Sequence, residues 1–144
     1  MPLTAAIEVS AAQTDVRALR VTLRITNLAS TRVTILNPDM GIPSPDMNWP
    51  HSREVYQTFL LMSFGYLSML VTDEARRELP QLVIPTSATP ALRPPLELGP
   101  GDSFEVAIPI GSFYQLESKK AYRVAIEYGD QKLKVSAATR VIVP

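Results

Sequence analysis

Leu19-Arg20-Val21-Thr22-Leu23-Arg24-Ile25-Thr26 alternates apolar and polar residues without a break. Successive side chains of an extended chain point to opposite faces. The aliphatic groups of Leu19, Val21, Leu23 and Ile25 therefore share one side, and Arg20, Thr22, Arg24 and Thr26 share the other. A strand of this kind is half-covered, with one face against a second layer and the other against water. No helix satisfies a period of two.

Working outward, Asn27-Leu28-Ala29-Ser30-Thr31 reads as a turn, and Val33 and Ile35 begin a second strand that stops at Asn37-Pro38. An earlier short strand is expected over 6–10. Residues 66–72 read as a strand, Asp73-Glu74-Ala75-Arg76 as a turn, and 78–84 as the return. Leu98-Gly99-Pro100-Gly101-Asp102 is a turn. Phe104, Val106 and Ile108 then alternate with polar or small residues until Pro109 stops the strand. Tyr122, Val124, Ile126 and Tyr128 alternate in the same way. Gly129-Asp130 predicts a two-residue hairpin turn, and Leu133, Val135 and Ala137 continue on a strand that runs to about 143.

Thirteen prolines in 144 residues are about twice the ordinary share, and they fall outside these alternating segments. The pattern predicts short strands joined by stiffened loops, with no strong amphipathic helix. Residues 53–64 are ambiguous. Val55, Phe59 and Met62 fit a helical spacing, while 58–61 also suits an edge strand. The expected fold is all-β: an immunoglobulin-like antiparallel sandwich of seven to nine strands, one domain over 1–144, with a long proline-rich insertion at about 37–65.

The order of segments resembles immunoglobulin-like accessory domains. The residues that carry the likeness are Leu23-Arg24-Ile25-Thr26-Asn27-Leu28-Ala29-Ser30, Val33-Thr34-Ile35-Leu36-Asn37, Leu70-Val71-Thr72-Asp73, Leu98-Gly99-Pro100-Gly101-Asp102, Phe113-Tyr114-Gln115-Leu116 and Ala121-Tyr122-Arg123-Val124. Two groups look similar. One is the N-terminal β-domain of deuterolysin-like and peptidyl-Lys metalloendopeptidases, and the other is the intracellular proteinase inhibitor family of bacteria. The resemblance implies a fold and an accessory or inhibitory role. The insertion at 37–65 departs from both groups.

Composition narrows the chemistry. Fourteen basic residues balance fourteen acidic ones, which disfavours a general nucleic-acid binder. Cysteine is absent, so thiol catalysis, thiolate zinc sites and disulfides are excluded. His51 is the only histidine, and a zinc peptidase needs two, one helical turn apart. The longest apolar stretch, 59–71, is interrupted by Ser63, Gly65 and Ser68 and is shorter than the roughly 20 residues of a membrane span. Met1-Pro2-Leu3-Thr4 has no basic start leading into an apolar core. A cytoplasmic location is expected, with a mature secreted or periplasmic form as the alternative. No cofactor or metal is expected.

Attention therefore falls on surfaces. Asn48-Trp49-Pro50-His51 lies in the stiffened loop. Trp49 either anchors an interface or folds back to plug one end of the sandwich. His51, with Ser52 and Glu54 beside it, is either a general base or an ordinary loop residue. Asp39 and Asp46 suggest at most a weak calcium site. Lys119, Lys120, Arg123, Lys132 and Lys134 form a basic patch that either meets an acidic partner or protects a sheet edge. The apolar run of 59–67 either fills the core or docks a partner. The expected function is a non-catalytic module that binds a protein through the 37–65 loop or an exposed strand edge. Trp49, His51, Tyr56, Phe59, Leu61 and Met62 are its contact residues, and a homo-oligomer is allowed. A proteinase inhibitor presenting a rigid loop, and a structural subunit of a larger assembly, are the alternatives.

Overall fold

The computed structural model describes residues 3–9, 19–39, 52–82, 94–130 and 133–144. In chain order these form β1 (Leu3–Val9), β2 (Val21–Asn27), β3 (Val33–Ile35), α1 (Arg53–Ser63), β4 (Leu67–Thr72), β5 (Leu96–Leu98), β6 (Ser103–Ile108), α2 (Ile110–Phe113), β7 (Ala121–Gly129) and β8 (Lys134–Ile142). The fold is mainly β, and among the described residues every paired strand is antiparallel. One sheet runs β1-β2-β6 and another β4-β7-β8, while β3 and β5 form a separate ribbon.

The alternation seen in the sequence sets which face of each sheet is buried. Val21, Leu23 and Ile25 are fully buried, as are Val71, Val124 and Tyr128 of the other three-stranded sheet. These residues belong to one apolar cluster with Val55 and Leu61 of α1 and Ile110 and Phe113 of α2. Each such aliphatic side chain removed from water contributes about 1.5–3 kcal/mol before conformational entropy is counted. β1 and β8 lie alongside each other, and α1 packs against both β4 and β6. The helix thus covers the flank where the outer strands β4 and β6 would otherwise expose unpaired backbone.

Asn27 closes the end of β2 and is completely buried. Its Nδ2 donates to the carbonyls of Thr31, Leu98 and Gly99 at 3.0, 2.9 and 3.1 Å, and its Oδ1 accepts from the Ala29 amide at 2.9 Å. Its backbone N–H donates to Asp102 O, and its carbonyl accepts from Gly101 N–H. One side chain therefore satisfies the turn after β2 and the turn between β5 and β6 together, as a buried polar group must.

The insertion expected at 37–65 is corrected over its second half, because 53–63 is helical. Ser52 caps the helix, its Oγ accepting from the Val55 amide at 3.3 Å. Gly65 ends it at φ +80°. The Gly65 and Tyr66 amides donate back to the carbonyls of Met62 and Leu61 at 3.1 and 2.8 Å. This is the glycine-dependent helix stop in which two otherwise orphaned carbonyls are satisfied.

Of the return expected over 78–84, residues 83 and 84 lie outside the described residues, and 78–82 form a single bridge between Thr72 and Glu78, with the Leu79 amide donating to the Val71 carbonyl. β5 and α2 were not anticipated. The last hairpin is not a two-residue turn: β7 continues through Gly129, which pairs with Lys134, and the connection spans 130–133. Asp130 Oδ1 accepts from the Leu133 amide at 2.9 Å to close it. No helix among the described residues is long and apolar enough to cross a membrane.

Candidate interaction surface

Of the six residues expected to contact a partner, Trp49 and His51 lie outside the described residues. Tyr56 and Leu61 are buried at 9% and 1% exposure, so α1 spends those side chains on the core. Phe59 and Met62 are half-buried and pack against the same cluster. The expected set is thus divided: the four described side chains face the protein interior wholly or in part.

The other polar candidates are engaged in the fold. Ser52 caps α1. Glu54 meets Arg20 at 2.8 Å, tying α1 to the residue before β2. Asp39 donates its amide to Asn37 Oδ1, and Asp46 lies outside the described residues. Among the described residues no three His, Cys, Asp or Glu side chains gather as a metal site would need. The basic patch is partly neutralised by pairing of Lys120 with Glu117 and of Lys134 with Glu127, and Lys132 lies outside the described residues.

Two tyrosines hold the fold by their hydroxyls. Tyr114 accepts from Gln81 Nε2 at 3.1 Å and donates to the Met69 carbonyl at 3.4 Å. Burial pushes its phenol above the usual range. Tyr128 donates to the Leu36 carbonyl, and burial, with the nearby Asp130 carboxylate, raises its phenol too.

The outer faces of the two three-stranded sheets differ in a way the individual strands do not announce. On β1-β2-β6 the outward rows are Glu8-Thr22-Ala107, Ala6-Arg24-Glu105 and Thr4-Thr26-Ser103. Arg24 and Glu105 sit side by side as opposite charges, and this face suits water. On β4-β7-β8 the outward rows are Thr72-Arg123-Arg140, Leu70-Ala125-Ala138 and Ser68-Glu127-Ser136. The middle row is wholly apolar. Leu70 is 41% exposed at its β4 end, and Ile142, further along β8, is 62% exposed. A shallow hollow of about 440 Å³ lies over Leu70, Ala125 and Ala138.

Another groove, about 430 Å³ in volume, lies between α1 and β6. Asp39, Arg53, Glu54 and Glu105 line it together with Leu61, Val106 and Ala107, so charged and apolar groups mix there.

Sequence reasoning passed over the β4-β7-β8 face. Leu70 reads as an ordinary strand residue, and Ala125 and Ala138 are unremarkable alone. The small outward residues of β7 and β8 were the available signal, but only register shows that they adjoin Leu70. The chain matches no protein-family model and no curated protein.

Proposed function

We propose that the chain is a non-catalytic protein-interaction module, a single immunoglobulin-like sandwich that binds a protein partner. For the fold, the neighbour relations β1-β2-β6 and β4-β7-β8 parallel the A-B-E and C-F-G relations of immunoglobulin-like domains. Tyr122, second in β7, accepts from the Glu117 amide at 2.9 Å through its hydroxyl. This bond is similar to that of the backbone-bound tyrosine such domains carry near the start of strand F, and it supports the reading. The β3-β5 ribbon is an addition to that plan.

The binding role rests on the bare Leu70-Ala125-Ala138 row. An apolar strip on a sheet whose opposite number is charged and hydrated invites cover by another protein. The 37–65 segment remains a proposed second contact. A strand edge suits the role less well, because α1 lies against β4 and β6 and β1 lies beside β8.

Placing a photo-crosslinking residue at position 70, and at position 24 as a control, tests the reading. Adducts from position 70 alone are expected. Equal labelling from both positions, or none from either, would overturn it.

A further inference from the structure

The β4-β7-β8 outer face has a charge arrangement that its apolar centre makes conspicuous. Arg123 and Arg140 are directly opposite each other across β7 and β8, on one side of the Leu70-Ala125-Ala138 row. Like charges in that position repel. Arg140 reaches Glu74 at 3.6 Å. Arg123 makes no ion pair with an acidic side chain among the described residues. On the other side of the row, on the same strand, stands the exposed Glu127, which reaches Lys134 of β8 at 3.6 Å.

Arg123 and Glu127 each lie two residues from Ala125, so the face reads positive, neutral, negative along β7. Consider a two-fold axis lying in the plane of contact along the Leu70-Ala125-Ala138 row. It turns the face onto itself with the strand direction reversed. Leu70 then meets Leu70, Ala125 meets Ala125, and Arg123 of each copy meets Glu127 of the other. An axis parallel to the strands would instead set arginine against arginine. The self-complementary arrangement is the one an isologous dimer requires, and small side chains on the middle row let two sheets approach to the roughly 10 Å of sheet-on-sheet packing.

We propose that the partner seated on this face is a second copy of this chain, related by that axis. The inference rests on the interaction-module reading above and narrows its partner. Strand spacing and rise give the face about 27 by 14 Å, on the order of 400 Å² per copy. A stable standard interface covers about 800 Å² per partner, so the dimer is weak and reversible.

Sedimentation velocity from about 5 to about 300 µM should show the wild type passing from monomer to dimer. Arg123→Glu and Glu127→Arg should each weaken self-association about tenfold or more, since each sets like charges against each other across the axis. Mixing the two variants should restore a dimer, because both contacts between positions 123 and 127 across the axis are again between opposite signs. Both positions are exposed, and circular dichroism checks that each variant is folded. Photo-crosslinking at position 70 of the otherwise unaltered chain is an independent measurement, expected to give an adduct of twice the monomer mass. A wild type that stays monomeric throughout, or a dimer indifferent to both substitutions, would overturn the inference. Adducts from position 70 only to a different protein would also overturn it while leaving the interaction-module reading intact. No adduct at all would sink both.

Discussion

Asn27 shows how much one buried amide can organise. Removing it leaves the carbonyls of Thr31, Leu98 and Gly99 and the Ala29 amide to find other partners. An unsatisfied buried group costs about 1–3 kcal/mol, and some of these four lie near solvent. Asn27→Ala should therefore lose about 2–4 kcal/mol in urea unfolding; a loss below about 0.5 kcal/mol would show that the two turns hold without it. The tyrosines give a pH signature. Tyr114 and Tyr128 both have phenols raised by burial in the folded chain. Above the ordinary phenol value near 10, the unfolded chain releases protons that the native chain keeps. Stability from these groups is therefore whole below about pH 10 and falls as pH rises beyond it. The tyrosinate absorbance of Tyr114 and Tyr128 should appear only together with loss of the β-sheet signal in circular dichroism. Ionisation of these two phenols before any unfolding would contradict their burial. Asn27 reads in the sequence as part of a local turn, and its bonds to Ala29 and Thr31 fit that, but Leu98 and Gly99 lie about seventy positions away, so its full weight is not legible there.

At the scale of the element, helix α1 and the β7–β8 hairpin depend on glycines for different reasons. Gly65 sits at φ +80° with nothing within 4 Å of an added Cβ, so Gly65→Ala carries only the backbone penalty, about 1–2 kcal/mol. Gly129 sits at φ +135°, and a Cβ there would lie 2.1 Å from the Leu133 carbonyl oxygen. Gly129→Ala must shift backbone as well, and the larger loss of stability in urea melts should fall on it. The reverse order would mean the hairpin loop yields more easily than the helix stop. Strands β2, β6, β7 and β8 were readable because each alternates over at least six residues. α1 was ambiguous because Phe59-Leu60-Leu61-Met62 is apolar at every position, which erases both periods. Its capping residues, Ser52 and Gly65, were the better evidence. β5 has three residues, too few for alternation to register.

At the scale of the whole molecule, the buried residues of both three-stranded sheets and both helices form one cluster. Heat or urea should therefore melt the chain in a single transition, with sheet and tyrosine signals coincident. Leu61→Ala, at 1% exposure, should lower its midpoint by about 2–5 kcal/mol of stability without splitting it. Two separated transitions would argue for independently folding parts. The same burial makes Leu61 unsuitable as a probe of partner binding, and Leu70 takes that place. The linear sequence determined that the chain is β-rich, which side of each regular strand is oily, and that thiol and multi-histidine chemistry are unavailable. Those properties follow from residue type and from a two-residue period, both of which are local. The tertiary structure alone decided that α1 lies over the flank between β4 and β6, that Asn27 joins two distant turns, and that Leu70, Ala125 and Ala138 form one bare row. Such neighbours are set by strand register and layer packing between residues as far apart in the chain as Leu70 and Ala125, and no local period records them.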